Sequence, residues 1–139
     1  AMIERVRKRE KEFSILYVDD EAPNLRGFKT SFRRFFKVYT AINGHDALEI
    51  LKITPVNIVV SDHRMPEMNG TELLSRVYDY NPEIRRMILS GFIKIDELKD
   101  AVDTFGIHHF ATKPWDFETL KTIFENMVQP DAVLMTFND

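Results

Sequence analysis

Not one cysteine occurs in these 139 residues. Disulfide scaffolds and thiolate metal sites are therefore excluded, and a reducing compartment fits, so a cytoplasmic location is expected. Glycine is sparse, at 5 residues, and nothing in its spacing forms a glycine-rich phosphate loop. No apolar run approaches the roughly 18 to 20 residues that cross a bilayer, and no signal-peptide pattern is seen. Membrane association is not expected. The net charge is -3, which offers no basic face for nucleic acid. These residues also hold no winged-helix or helix-turn-helix module. What remains is 44% apolar and 29% charged, the ordinary balance of a globular domain, at a length that suggests one domain with a substantial core.

The hydrophobic pattern divides the chain into three. Residues 1–12 are charged and mildly basic, read either as a partner-binding arm or as a solvated extension. Residues 13–129 carry the periodic structure. Residues 130–139 form an apolar tail after Pro130, read as the start of a linker, a docking segment, or a strand for a neighbouring chain.

Within the central part, short β-branched runs alternate with helical stripes. Phe13–Val18 reads as a strand, and Leu25, Phe28, Phe32 and Phe35 recur at helical spacing behind Pro23. Lys37–Ile42 is a second strand, and Ala47, Leu48 and Leu51 line a second helix. Asn57–Val60 leads to Asp62, and Leu73, Leu74, Val77 and Tyr78 follow on a third helix that Asn69 is placed to cap. Arg85–Ser90 is a fourth strand, with Leu98, Ala101, Val102 and Phe105 on a fourth helix. His108–Lys113 is a last strand of weak propensity, and Phe117, Leu120, Phe124 and Met127 mark a fifth helix. Five strand–helix units in succession predict an α/β fold: a doubly wound, five-stranded parallel sheet with helices on both faces.

In such a sheet all strand ends of one polarity share an edge. Asp19 and Asp20 end the first strand, Asp62 the third, Ser90 the fourth and Lys113 the fifth. They are expected to converge in the crevice where open α/β sheets place their chemistry. Three crowded carboxylates repel unless a cation sits among them. An all-oxygen donor set suits Mg2+, with Mn2+ as a substitute. A carboxylate beside such an ion is a nucleophile toward phosphorus, while Lys113 and Ser90 are suited to hold phosphoryl oxygens.

The Asp19-Asp20 pair, Asp62 followed by Met65-Pro66 and Gly70, then Ser90 and Lys113-Pro114, make the stretch from about Phe13 to Met127 resemble the receiver (CheY-like, flavodoxin-like) domain of bacterial two-component response regulators. The resemblance implies a phosphoprotein switch that catalyses only its own phosphotransfer and autodephosphorylation. Asp62 would accept a phosphoryl group from the phosphohistidine of a sensor histidine kinase or phosphotransfer protein. Asp20, Asp62 and the backbone carbonyl of Arg64 would ligate Mg2+ directly, with Asp19 acting mainly through water. Lys113 would pair with the phosphoryl group, next to a cis Lys113-Pro114 bond. Ser90 and the switch aromatic Phe110 would move together and repack the fourth helix, last strand and fifth helix. That face is also where a homodimer would form. The output would come from a separate domain or effector protein absent from these residues.

Some positions are this chain's own. Phe110 lacks the hydroxyl of the more frequent tyrosine. Phe92, after Gly91, is expected to restrict access to the site. Arg64 is expected to reach across it and alter phosphoryl lifetime. The four histidines are read as structural or exposed, since His108 and His109 point to opposite faces of a strand. Trp115 has two readings, a partner surface or packing against the sheet edge.

Overall fold

The computed structural model describes residues 13–91, 94, 96, 99, 102, 103 and 106–128. The N-terminal extension and C-terminal tail lie outside the described residues, as do Phe92, Leu98, Ala101 and Phe105. Asp96, Lys99, Val102 and Asp103 of the expected fourth helix are helical.

The remaining elements alternate as the pattern demands. They are β1 (Ser14–Val18), α1 (Ala22–Phe32), β2 (Lys37–Ala41), α2 (Gly44–Ile53), β3 (Ile58–Ser61), α3 (Gly70–Tyr80), β4 (Arg85–Ser90), β5 (His109–Thr112) and α4 (Phe117–Met127). All strand pairs are parallel, in the order β2-β1-β3-β4-β5. The chain reverses its direction of winding between β1 and β3, which opens a crevice at their carboxyl ends.

The sequence accounts for the layers. Every residue of β1 and β3 is buried, because helices cover both faces of a parallel sheet. One core joins Leu16, Val18, Val59 and Ile88 to Leu51 of α2 and Leu73, Leu74 and Val77 of α3. The other joins Ile15, Tyr17, Val60 and Leu89 to Phe28 and Phe32 of α1 and Leu120 and Phe124 of α4. This second core is aromatic: the Tyr17 and Phe28 rings stack at 4.2 Å and 15°, and Phe32 meets Phe117 at 5.2 Å. Such pairs add about 0.5 to 1.5 kcal/mol each beyond the area they bury.

Local chemistry fixes where the helices begin. Asn43 accepts the amide of Asp46 at 2.8 Å, and Asn69 accepts that of Glu72 at 2.9 Å. Asp116 accepts both the amide and the hydroxyl of Thr119, so three of the helices carry side-chain caps. Tyr78 departs from its expected place in the core. It is 42% exposed, because its ring turns outward to lie 5.0 Å from the Arg86 guanidinium.

Candidate functional site

Asp62 follows β3, and its backbone is held from three directions. Its amide donates to the Val18 carbonyl at 2.8 Å, and its carbonyl accepts the Ser61 hydroxyl at 2.7 Å. Gly70, the first residue of α3, lies against that same carbonyl, and a Cβ at position 70 would collide with it and sit 2.9 Å from the His63 Cα. Only glycine permits this approach. The Gly70 amide donates to the His63 carbonyl at 2.8 Å, closing the loop between them.

The residues predicted from strand ends do converge. One oxygen from each of Asp19, Asp20 and Asp62 lies within 4.8 Å of the others. Lys113 Nζ stands 2.6 Å from Asp19 Oδ2 and 3.6 Å from Asp62 Oδ1. Ser90 donates its hydroxyl to the Asp62 carboxylate, and the Lys113 amide bonds the Ser90 carbonyl at 3.1 Å, which brings the last two strand ends together. The Lys113-Pro114 peptide is cis, as expected.

The two buried acids differ in character. Burial pushes both carboxyls upward, as removal of water disfavours charge. At Asp19 the bonds from Lys113, Tyr17 and the Glu21 amide outweigh that push, and its carboxyl titrates below the usual 3.8. At Asp62 burial, helped by the neighbouring Asp19 charge, prevails over Lys113, Ser90 and the His63 amide, and its carboxyl is raised. Asp20 retains contact with solvent and completes the group. Three carboxylates thus gather round the Lys113 ammonium, which by itself offsets only one of their three negative charges.

That deficit and the donor chemistry fit a hard divalent cation: all ligands are oxygens, the acids are adjacent, and no sulfur or imidazole belongs to the set. The cluster could hold a metal ion.

Sequence reasoning passed over two side chains that grip Asp19. Tyr17 donates to Asp19 Oδ2 at 2.7 Å, and Asn24 donates to the same oxygen at 3.1 Å. Tyr17 has the signature of a core residue within a strand, and Asn24 that of an exposed helical turn. The period of two along β1 does place Tyr17 on the same side as Asp19, which is the one signal that could have found it.

The remaining predicted positions differ in exposure. Phe110 on β5 is 53% exposed. Trp115 packs against the aromatic core, its ring 5.3 Å from Phe32 and 6.3 Å from Phe28, and it stays partly exposed, so both readings keep support. His63 is buried, while His45, His108 and His109 reach solvent, and no histidine joins the acidic group. Arg64, two residues past Asp62, is exposed.

Comparison with known proteins agrees with this geometry. The chain is 32% identical over 116 residues to the hydrogenase transcriptional regulatory protein HoxA of Bradyrhizobium diazoefficiens, covering 84% of this chain and 24% of that protein. It is 31% identical over 111 residues to the transcriptional regulatory protein ZraR of Klebsiella oxytoca, covering 79% of this chain and 25% of that protein. The chain therefore spans about a quarter of the length of the curated relatives it matches. Among solved structures, a response regulator receiver domain protein from Clostridium thermocellum superposes with a TM-score of 0.80 at 23% identity, over 88% of this chain and 98% of that one. An uncharacterized protein from Neptuniibacter caesariensis has 38% identity and a TM-score of 0.79, over 86% and 89%. The sequence profile of the response regulator receiver domain matches residues 15–125, and on that match the chain belongs to the response regulator receiver domain family.

Proposed function

We propose that this domain is a phosphorylation-driven signalling switch in which Asp62 accepts a phosphoryl group from the phosphohistidine of a sensor histidine kinase or phosphotransfer protein. The observation that carries the reading is the asymmetry of the two buried acids. Asp19 is bound by four donors, from Lys113, Tyr17, Asn24 and the Glu21 amide. Asp62 is met by Ser90, the His63 amide and the more distant Lys113, and its carboxylate is the one held above its ordinary range, by burial first. The acid with the less committed electron pairs is the better nucleophile.

Asp20, Asp62 and the Arg64 carbonyl are the groups that would hold Mg2+, with Asp19 joined through water. When bound, the ion neutralises charge on the phosphoryl oxygens. The chain's own groups do the rest. Asp62 attacks phosphorus as the donor imidazole departs, so one O–P bond forms as one N–P bond breaks. Lys113 has 3.6 Å to cover to reach an oxygen on Asp62, and it leaves Asp19 to pair with the phosphoryl group. Ser90, which donates to the free carboxylate, transfers that bond to a phosphoryl oxygen. No general base is required, because the nucleophile is already ionised.

The new group adds about two negative charges. The Ser90 shift biases the packing of β5, where Phe110 is half in solvent and able to turn inward. Arg64 stands where it would affect how long the phosphoryl group survives. The signal passes to an output domain of the same polypeptide or to a separate effector, and a homodimer through β5 and its flanking helices is one form the active state takes. Domain activity is confined to phosphotransfer and autodephosphorylation, in the cytoplasm.

The test is incubation with acetyl phosphate and Mg2+, followed by intact mass. The parent gains one phosphoryl group, and the gain disappears with a chelator or in Asp62→Asn. An equal gain in Asp62→Asn would refute the assignment.

A further inference from the structure

Tyr17 is a core residue by every local measure. It is 1% exposed, its ring stacks on Phe28, and Phe28 in turn packs against Trp115 and Phe124. A phenylalanine would fill this space equally well. The hydroxyl is what the packing does not require, and it is directed at Asp19 Oδ2 at 2.7 Å.

The distribution of donors around Asp19 gives that bond a purpose. Among the described hydrogen bonds Oδ2 accepts Tyr17, Lys113 and Asn24, whereas Oδ1 accepts the Glu21 amide at 3.0 Å. The side of the carboxylate with capacity left is Oδ1. Of the three donors on Oδ2, Lys113 must leave when Asp62 is phosphorylated. Asn24 lies in the first turn of α1 and divides its amide with Glu21 Oε2 at 2.9 Å. Tyr17 alone is fixed on both sides, by its strand and by the ring stack. Against a carboxylate oxygen its hydroxyl acts as the donor.

We propose that Tyr17 is a positioning residue that locks the Asp19 carboxylate in one orientation, keeps Oδ1 open toward the cation, and so sets the affinity of the acidic cluster for divalent metal. This rests on the receiver reading, and it adds a residue from the aromatic core to the metal site. The same stack runs from the Tyr17 ring through Phe28 to Trp115, the only tryptophan of the chain, so Trp115 emission reports on Asp19 occupancy without any labelled probe.

The experiment titrates Mn2+ alone into the parent and Tyr17→Phe, reading free ion by electron paramagnetic resonance and Trp115 emission in parallel. Loss of a hydrogen bond to a metal-ligating group typically weakens binding 10- to 100-fold, and here a rise of about 10-fold in the Mn2+ dissociation constant is expected. A structural role alone would lower the urea midpoint and leave that constant in place. Combining Tyr17→Phe with Asp19→Asn gives a cycle: if Tyr17 acts through Asp19, the second substitution adds nothing further to the loss of affinity. Binding by Tyr17→Phe within twofold of the parent, or additive losses in the double variant, would overturn the proposal. A parent that takes up no Mn2+ and no phosphoryl group would instead bring down the receiver reading beneath it.

Discussion

The two edges of the sheet each bury charge, and they treat it differently. At the amino edge Arg86 is 3% exposed, and the chain around it takes up both terminal nitrogens of its guanidinium while Nε is left without a hydrogen-bond partner. Nη1 donates to the carbonyls of Pro82 at 3.0 Å and Ile84 at 2.5 Å, and Nη2 to that of Gly106 at 3.1 Å. The Tyr78 ring covers it. Among the described residues no carboxylate pairs with it. Carbonyl dipoles supply the compensation, and Gly106, at φ 61, adopts the turn that presents one of them. At the carboxyl edge Asp19, Asp20 and Asp62 share one lysine. The first edge is neutralised largely by backbone dipoles, and its role is to hold the segment before β5 against β4. At the second, Lys113 by itself offsets one of three negative charges, which favours a cation as ligand. Buried charge alone does not mark a functional site; buried charge with its compensation missing does.

The sharpest way to break this contrast is at the lysine. Lys113→Ala removes the one ammonium that stands among the three acids within the described residues. Loss of one preorganised charge partner costs on the order of 100-fold in rate, and phosphorylation by acetyl phosphate should slow by about that factor at saturating Mg2+. A rate near that of the parent would mean that the carboxyl edge is not organised for phosphoryl transfer.

Arg86→Met tests the other edge. It strands the Pro82, Ile84 and Gly106 carbonyls, at a cost of roughly 2 kcal/mol in stability after partial rehydration. Urea unfolding measures this. Metal affinity and phosphorylation rate should stay at parental values, because the substitution lies at the opposite end of the strands. A changed metal affinity would show the edges to be coupled.

The smallest effect is a titration. His108 reaches solvent at one side, but its Nδ1 accepts the Arg86 amide at 3.1 Å, and burial of that side, then the Arg86 and Arg85 charges, push its imidazole down to about 4. Between roughly pH 6.5 and 4 the unfolded chain binds a proton that the folded state refuses, so stability falls on acidification through that window. Asp19, with its lowered carboxyl, contributes stability that is present above 3.8 and lost as pH falls below it. Asp62, raised, works in the opposite sense. Histidine resonances followed by NMR should show one imidazole titrating near 4, and an ordinary value for His108 would remove the amino-edge account.

The alternation of short apolar runs with helical stripes made the sheet legible, and the site followed from it, since Asp19, Asp20, Asp62, Ser90 and Lys113 all stand at ends of strands running the same way. What stayed hidden depended on neighbours rather than on period. Tyr78 fits the apolar stripe of its helix, yet turns outward to cover Arg86. Arg86 appears in the sequence only as a member of the fourth strand, and nothing local says that three carbonyls will surround it. Tyr17 reads as plain core, because its hydroxyl acquires meaning only once Asp19 is beside it in space. Gly70 was visible as part of the Asp62 motif, but the contact with the Asp62 carbonyl that requires glycine appears only in three dimensions.

The central claim is that one carboxylate of the three is the acceptor, and it can be read chemically. Borohydride converts an acyl phosphate to the alcohol, so reduction of the phosphorylated protein followed by peptide mapping identifies the modified acid. The account predicts homoserine at position 62, in amounts matching the phosphoryl group gained. Homoserine at position 19 or 20, or none in a protein that has gained the mass, would contradict it.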